Sequence, residues 1–171
     1  MQMGVNHFGH FYLTSLLWDK LVACGSPRIV NLSSIAHRNR GERHDINFDD
    51  MNFDRTKYDE FIAYSRSKLA NILFTKELQK RMDEANIEGV TISVHPGIVR
   101  TDLPRYFLNS IGKKVFFTVT APLQWLLMKS SFEGAQTSLF GCLADIEDIE
   151  GGGYYADCKP TKIDSEQGNS E

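Results

Sequence analysis

Several classes of protein are excluded by what this chain lacks. It has no block of basic residues: 19 Lys and Arg face 22 Asp and Glu, for a formal net charge of −3. That balance argues against a general nucleic-acid binder. Cysteine is scarce, and Cys24, Cys142 and Cys158 form no C-x-x-C and have no paired histidines beside them. A disulfide framework and a zinc site are therefore not expected, and isolated thiols suit a reducing compartment. The first residues, Met1 to His7, show no basic stretch followed by an apolar run, so no secretory leader is read there. Long hydrophobic runs are also missing. The most apolar segment, Val115 to Met128, is too short to span a bilayer and is interrupted by Pro122. It reads equally as a core helix, a membrane-surface helix or a lid. Finally, the 13 glycines include no G-x-G-x-x-G or G-x-x-x-G-x-G, the turn whose backbone amides cradle a pyrophosphate.

What is present suffices for one globular domain: 171 residues, 42% of them hydrophobic. Residues 4–23 read as a helix, with Val5, Phe8, Tyr12, Leu16 and Leu17 on one stripe and Cys24-Gly-Ser-Pro27 ending it. Arg28 to Ser34 reads as a short buried strand. The polar stretch 36–59 lacks periodicity and reads as a long surface loop. Residues 60–84 form a second helix, whose apolar face is Leu69, Ile72, Leu73, Phe74 and Leu78. Val90 to His95 is a second strand, closed sharply by Pro96-Gly97. An apolar helix is expected around 113–129 and another helix around 131–144. After Gly151-Gly-Gly153 comes a short aromatic strand, Tyr154 to Ala156. The expected boundaries are a catalytic part over 1–156 and a polar, disordered tail over 157–171.

Helix, strand, helix, strand is the pattern of an α/β fold with a parallel sheet and helical crossovers. The chain opens in a helix where a complete domain of this kind opens in a strand, and the strand at Ile29–Leu32 would be an uncovered sheet edge. The expectation is the C-terminal half of a doubly wound sheet, without the glycine-rich nucleotide half, or a truncated form.

The chemistry is concentrated in a few residues. Tyr64 and Lys68, in Ala63-Tyr-Ser-Arg-Ser-Lys68, are four apart and emerge on one face of the second helix. A phenol with an ordinary pKa of about 10 is a poor acid or base at neutral pH. An ammonium beside it stabilises the phenolate and brings the group toward its working range. The spacing alone is equally that of an exposed helix pair. Ser34 lies where a parallel strand ends, the side on which ligands bind in open α/β sheets. A hydroxyl there can hold a substrate oxygen or simply cap a helix. Gly97 permits close approach of a ligand to the backbone, and Thr101 offers a hydroxyl shortly after. Asn6, in Gly4-Val-Asn-His-Phe-Gly9, can bind carbonyls and water from within a helix.

Taken in order, these motifs resemble the short-chain dehydrogenase/reductase family. Val5-Asn-His-Phe-Gly-His-Phe11, Asn31-Leu-Ser-Ser-Ile-Ala-His37, Tyr64-Ser-Arg-Ser-Lys-Leu-Ala-Asn-Ile-Leu-Phe74 and His95-Pro-Gly-Ile-Val-Arg-Thr101 are similar to its retinol dehydrogenase branch. The resemblance covers roughly residues 3–158 and implies a Rossmann-like fold. It implies a catalytic tetrad of Asn6, Ser34, Tyr64 and Lys68. The nicotinamide cofactor, NADP or NAD with a lean to NADP, would be held by Tyr64, Lys68, Pro96, Gly97, Val99 and Thr101. A hydrophobic carbonyl or alcohol substrate is implied, such as a retinoid, steroid or lipid aldehyde. Residues 103–128, with Phe107, Phe116, Phe117 and Trp125, read as its lid or as core packing. The resemblance also implies an intracellular setting, association with endoplasmic reticulum or mitochondrial membrane, and a homodimer through helices 4–23 and 60–84. The second reading, favoured by the missing glycine-rich turn, is an inactive scaffold or dimerisation module of the same family.

Overall fold

The structure, a computed structural model, describes residues 1–38, 45–100 and 128–169. In chain order the regular elements are α1 (Gly9–Ala23), β1 (Arg28–Leu32), α2 (Glu60–Glu84), β2 (Val90–His95), α3 (Ser131–Leu143), β3 (Tyr154–Ala156), β4 (Lys159–Pro160) and α4 (Glu166–Asn169). The sheet order is β1-β2-β3-β4. The first three strands are parallel, and β4 returns antiparallel to β3. Helices α2 and α3 are the crossovers that parallel strands require.

Local chemistry sets the helix boundaries. The Asp59 carboxylate accepts hydrogen bonds from the amides of Phe61 and Ile62, at 2.9 and 3.0 Å, and so caps α2. At its other end Asn86 adopts φ +54°, and the Ile87 amide donates back to the Met82 carbonyl at 2.9 Å. A reciprocal capping box of Ser130 and Glu133 opens α3.

The two faces of the sheet differ in chemistry. Val30, Ile92, Val94 and Tyr155 form an apolar face with Ile149, Phe140 and Ala144, under α3. Each large aliphatic fully buried there stabilises the fold by roughly 2 kcal/mol. Gly141 lets α3 come this close, since a Cβ on it would lie 2.6 Å from Ile92 Cδ1. Strand alternation turns Asn31, Ser33, Thr91 and Ser93 the other way, toward α2. There the Asn31 amide donates to Thr75 Oγ1 at 2.9 Å, and the Ser33 hydroxyl donates to the Lys68 carbonyl at 2.8 Å. With a helix on each face, the sheet is doubly wound and Rossmann-like.

Both long helices and all three predicted strands fall close to the residues expected from the sequence. The helix expected over 4–23 opens instead with one wide π-turn, Gly4–Phe8, in which the Gly9 amide donates to the Gly4 carbonyl. Its apolar stripe is not core: Val5, Phe8, Tyr12, Leu16 and Leu17 are all exposed. Where α1 meets α2, the Phe11 and Phe74 rings lie 5.3 Å apart, and Trp18 further along α1 lines a cleft with Leu78 and Arg81. The stretch 36–59 is not simply surface, because among its described residues His37, Ile46 and Asp50 are buried and two single-turn helices interrupt it. Composition predicts disorder after residue 156; the structure describes β4 and α4 in that segment, as far as Asn169. The Gln167 amide exchanges hydrogen bonds with both backbone groups of Ile46, and Ser165 Oγ donates to Asp45. Polar residues that would leave an isolated tail solvated here complete the backbone bonding of the segment around residue 46. The helix expected around 113–129 falls almost wholly within 101–127, outside the described residues.

Candidate functional site

The register Leu32↔Val94 brings the carboxyl ends of β1 and β2 to the same level, and the Ser33 amide donates to the Val94 carbonyl at 2.8 Å. Ser34 and Pro96 therefore leave neighbouring strand ends. Helix α2 lies across the polar face beside them and brings Tyr64 and Lys68.

Lys68 is the most constrained of the predicted residues. Its side chain is buried, with Nζ 5.6 Å from the centre of the Tyr64 ring. The ammonium donates to the Leu32 carbonyl at 3.2 Å, and among the described residues it meets no carboxylate. Burial pushes its pKa below the ordinary lysine value. Tyr64 is half-buried, so its ring is packed while the side chain retains access to solvent.

Asn6 sits in the π-turn before α1, a backbone irregularity often associated with function. Its amide donates to Gln2 Oε1 at 2.9 Å and to Ser67 Oγ at 3.0 Å, and Ser67 Oγ in turn donates to the Tyr64 carbonyl at 2.7 Å. Asn71 joins this turn to the strand end. Its Nδ2 donates to the Asn6 carbonyl at 2.9 Å and to the Leu32 carbonyl at 3.0 Å. Its Oδ1 lies 3.0 Å from His7 Nδ1. Lys68 and Asn71 thus share the Leu32 carbonyl, and Asn6 is one hydrogen bond away.

Ser34 is partly exposed, and its Oγ accepts from the Ala36 amide at 3.2 Å, capping a single helical turn. Among the described residues its own hydroxyl proton has no acceptor. The partner of α2 is its neighbour Ser33. On the other strand end, Gly97 adopts φ +88°, a left-handed conformation favouring glycine. Val99 forms a parallel bridge with Lys129. Thr101, and most of the segment read as a lid, lie outside the described residues.

Asn71, Ser67 and Ser33 carry much of this network and were not singled out by the sequence reading. A signal for them exists: Tyr64, Ser67, Lys68, Asn71 and Thr75 recur at helical spacing. A polar stripe on a helix that is buried on most sides must meet polar partners, since unpaired buried groups are costly.

Three histidines surround the site with pKa values held below 6.5, in each case first by burial. For His7 the Asn71 hydrogen bond opposes that shift. For His37 the bond to the Ser34 carbonyl, 2.6 Å from Nδ1, opposes it. For His95 the nearby Lys129 ammonium adds to burial. The unfolded chain takes up protons near pH 6.5, and the folded chain does so only at lower pH. This part of the stability is fully present above 6.5 and is lost as the pH falls. Urea unfolding should accordingly give a smaller free energy at pH 5.5 than at 7.5. Replacing His37 with Gln should flatten that difference, and an unchanged pH dependence would refute its assignment as buried and neutral.

No family model matches the chain. Human retinol dehydrogenase 14 is 45% identical over 166 residues, which are 95% of this chain and 46% of that protein. Human retinol dehydrogenase 13 is 45% identical over 153 residues, covering 88% of this chain and 44% of that one. Mouse retinol dehydrogenase 11 is 42% identical over 171 residues, covering 100% and 49%. The chain spans about half the length of the curated relatives it matches. Among solved structures, an uncharacterized protein from Mycobacterium paratuberculosis aligns with TM-score 0.60 and 31% identity over 89% of this chain and 44% of that one. An NADPH-bound carbonyl reductase from chicken fatty liver shares the fold, with TM-score 0.54 and 18% identity over 90% and 53%.

Proposed function

We propose that this chain, a homologue of the retinol dehydrogenases in the short-chain dehydrogenase/reductase family, carries the proton-transfer site of an NAD(P)-dependent oxidoreductase interconverting alcohols and carbonyls. The observation that supports this most is the buried Lys68 ammonium beside the Tyr64 ring, with the Leu32 carbonyl as its acceptor and no carboxylate partner among the described residues. A lysine placed there for structure would be expected to meet a carboxylate, because burying an unneutralised charge is costly. One left with donors to spare suits a phenol that must ionise and the hydroxyls of a ribose.

The residues present fit a nicotinamide cofactor on two counts. Among the described residues Lys68 has donor capacity to spare, and Gly97 turns the backbone through a left-handed conformation at the adjacent strand end. Tyr64 and Lys68 would hold the ribose, and Pro96, Gly97 and Val99 would flank the nicotinamide, with NADP favoured over NAD by family resemblance. The bound cofactor supplies the hydride; the protein supplies orientation and the proton. In the reduction, the Ser34 hydroxyl holds the substrate oxygen and Tyr64 gives its phenolic proton to it. Lys68 stabilises the phenolate left behind. Asn6 holds the water through which the proton is replaced. In the oxidation the same groups run in reverse.

A hydrophobic alcohol or aldehyde is the substrate class favoured by the retinol dehydrogenase relatives. The exposed apolar side chains of α1 support association of two copies through α1 and α2. Fluorescence titration of the 171-residue chain with NADPH tests the reading. Saturable quenching that is weakened by Lys68→Met supports it. No binding favours the alternative, a scaffold that has kept the family's helices without its chemistry.

A further inference from the structure

The segment after β2 is held in an unusual way. Pro96 has no amide hydrogen, Gly97 is left-handed, and no regular strand continues past His95. Support comes instead from one residue before α3. The Lys129 amide donates to the Ile98 carbonyl and the Arg100 amide donates to the Lys129 carbonyl, both at 2.9 Å. Gly134, in the first turns of α3, leaves room for Val99, since a Cβ there would lie 2.5 Å from Val99 Cγ2.

The Lys129 side chain runs back along the turn it supports. A Cβ on Gly97 would lie 2.8 Å from Lys129 Cδ and 3.0 Å from its Nζ. The ammonium ends on the Asp157 carboxylate, which it holds below the ordinary carboxylate range. Asp157 and Cys158 are the two residues of the β3–β4 hairpin turn, and both have positive φ, +52° and +59°. Such turns normally use Asn-Gly, because a non-glycine residue there is strained. This turn is instead tied to α3, where Thr137 Oγ1 accepts from the Cys158 amide at 3.3 Å.

Asp157 is largely exposed, at 73% of its side-chain surface, so the ion pair contributes little to stability. Its consequence is geometric: it fixes the lysine stem against Gly97. We infer that Lys129 and Asp157 are positioning residues for the cofactor, setting the Pro96–Val99 turn on which the nicotinamide end rests. This rests on the reading that those residues flank the nicotinamide.

Asp157→Asn, Lys129→Met and Lys129→Arg in the full 171-residue chain test the inference, through NADPH affinity, thermal melting and hydrogen exchange of the Arg100 amide without cofactor. Asp157→Asn and Lys129→Met should each weaken NADPH binding by about two- to fivefold and speed exchange at Arg100, with melting barely moved. Lys129→Arg, which keeps the charge, should restore most of the affinity. Variants that bind NADPH like the parent overturn the positioning role and leave the cofactor reading intact, whatever the exchange rates. Loss of affinity in Lys129→Met but not in Asp157→Asn also overturns it, since Lys129 would then act by direct contact. A parent chain that binds no NADPH removes both the cofactor reading and this inference.

Discussion

Replacing Tyr64 with phenylalanine should lower NADPH-dependent carbonyl reduction by about 10²–10⁴-fold, the range a positioned general acid supplies. The change removes only the hydroxyl. The ring remains as the surface beside which the Lys68 ammonium lies at 5.6 Å, so the packing of α2 should be kept. Thermal melting should therefore stay close to that of the parent, and NADPH affinity should fall far less than turnover, because Lys68 still holds the ribose. Steady-state kinetics together with a melting curve separate these quantities. Full activity in the variant would show that another group delivers the proton.

The second large effect is on stability. Asn71 is buried and joins the Asn6 carbonyl, the Leu32 carbonyl and His7 through one side chain. In Asn71→Leu the shape is nearly kept and the bonds are lost. The Asn6 carbonyl and the His7 ring nitrogen lose the bond to Asn71, and at the Leu32 carbonyl the Lys68 bond remains. An unsatisfied buried group costs about 1–3 kcal/mol, so the variant should lose about 2–4 kcal/mol in urea unfolding. Because Asn71 also sets the carbonyl that Lys68 shares, turnover should fall with it. A loss below about 0.5 kcal/mol would mean that these bonds are replaced by water and that Asn71 does not organise the site.

Much of the fold is legible in the sequence because its elements are locally consistent. Residues 60–84 combine an apolar stripe with an Asp cap and an Asn exit, and α2 occupies Glu60–Glu84. Val90 to His95 is β-branched and closes on Pro-Gly, and β2 ends at His95. Helix α1 shows the limit of that reasoning. Its stripe is apolar at helical spacing, but periodicity does not say which surface will cover it, and among the described residues that stripe lies open. The segment after residue 156 shows a different limit. Its composition is that of a solvated tail, yet Gln167 and Ser165 find backbone and carboxylate partners more than a hundred residues earlier. Such partners are invisible to any local window.

The site divides along the same line. Tyr64 and Lys68 could be placed on one face because helical spacing is rigid, and the nearness of Ser34 to Pro96 follows from parallel pairing at Leu32↔Val94. Asn71 shows only as part of a polar stripe on α2, and Lys129 and Asp157 meet only through tertiary contacts, so no motif at their own positions points to them. Even Asn6 is legible as a residue type and not as a geometry, since helical periodicity does not distinguish a π-turn from the α-helix it opens.

The central claim is that the Tyr64–Lys68 face of α2 serves carbonyl chemistry at a nicotinamide. Its most direct test is to incubate the chain with NADPH deuterated at C4 and a hydrophobic aldehyde, then analyse the alcohol by mass spectrometry. Deuterium on the carbinol carbon, formed by the parent and strongly reduced in Tyr64→Phe, is the predicted result. Alcohol formation without deuterium, or no alcohol from a chain that binds NADPH saturably, would contradict it.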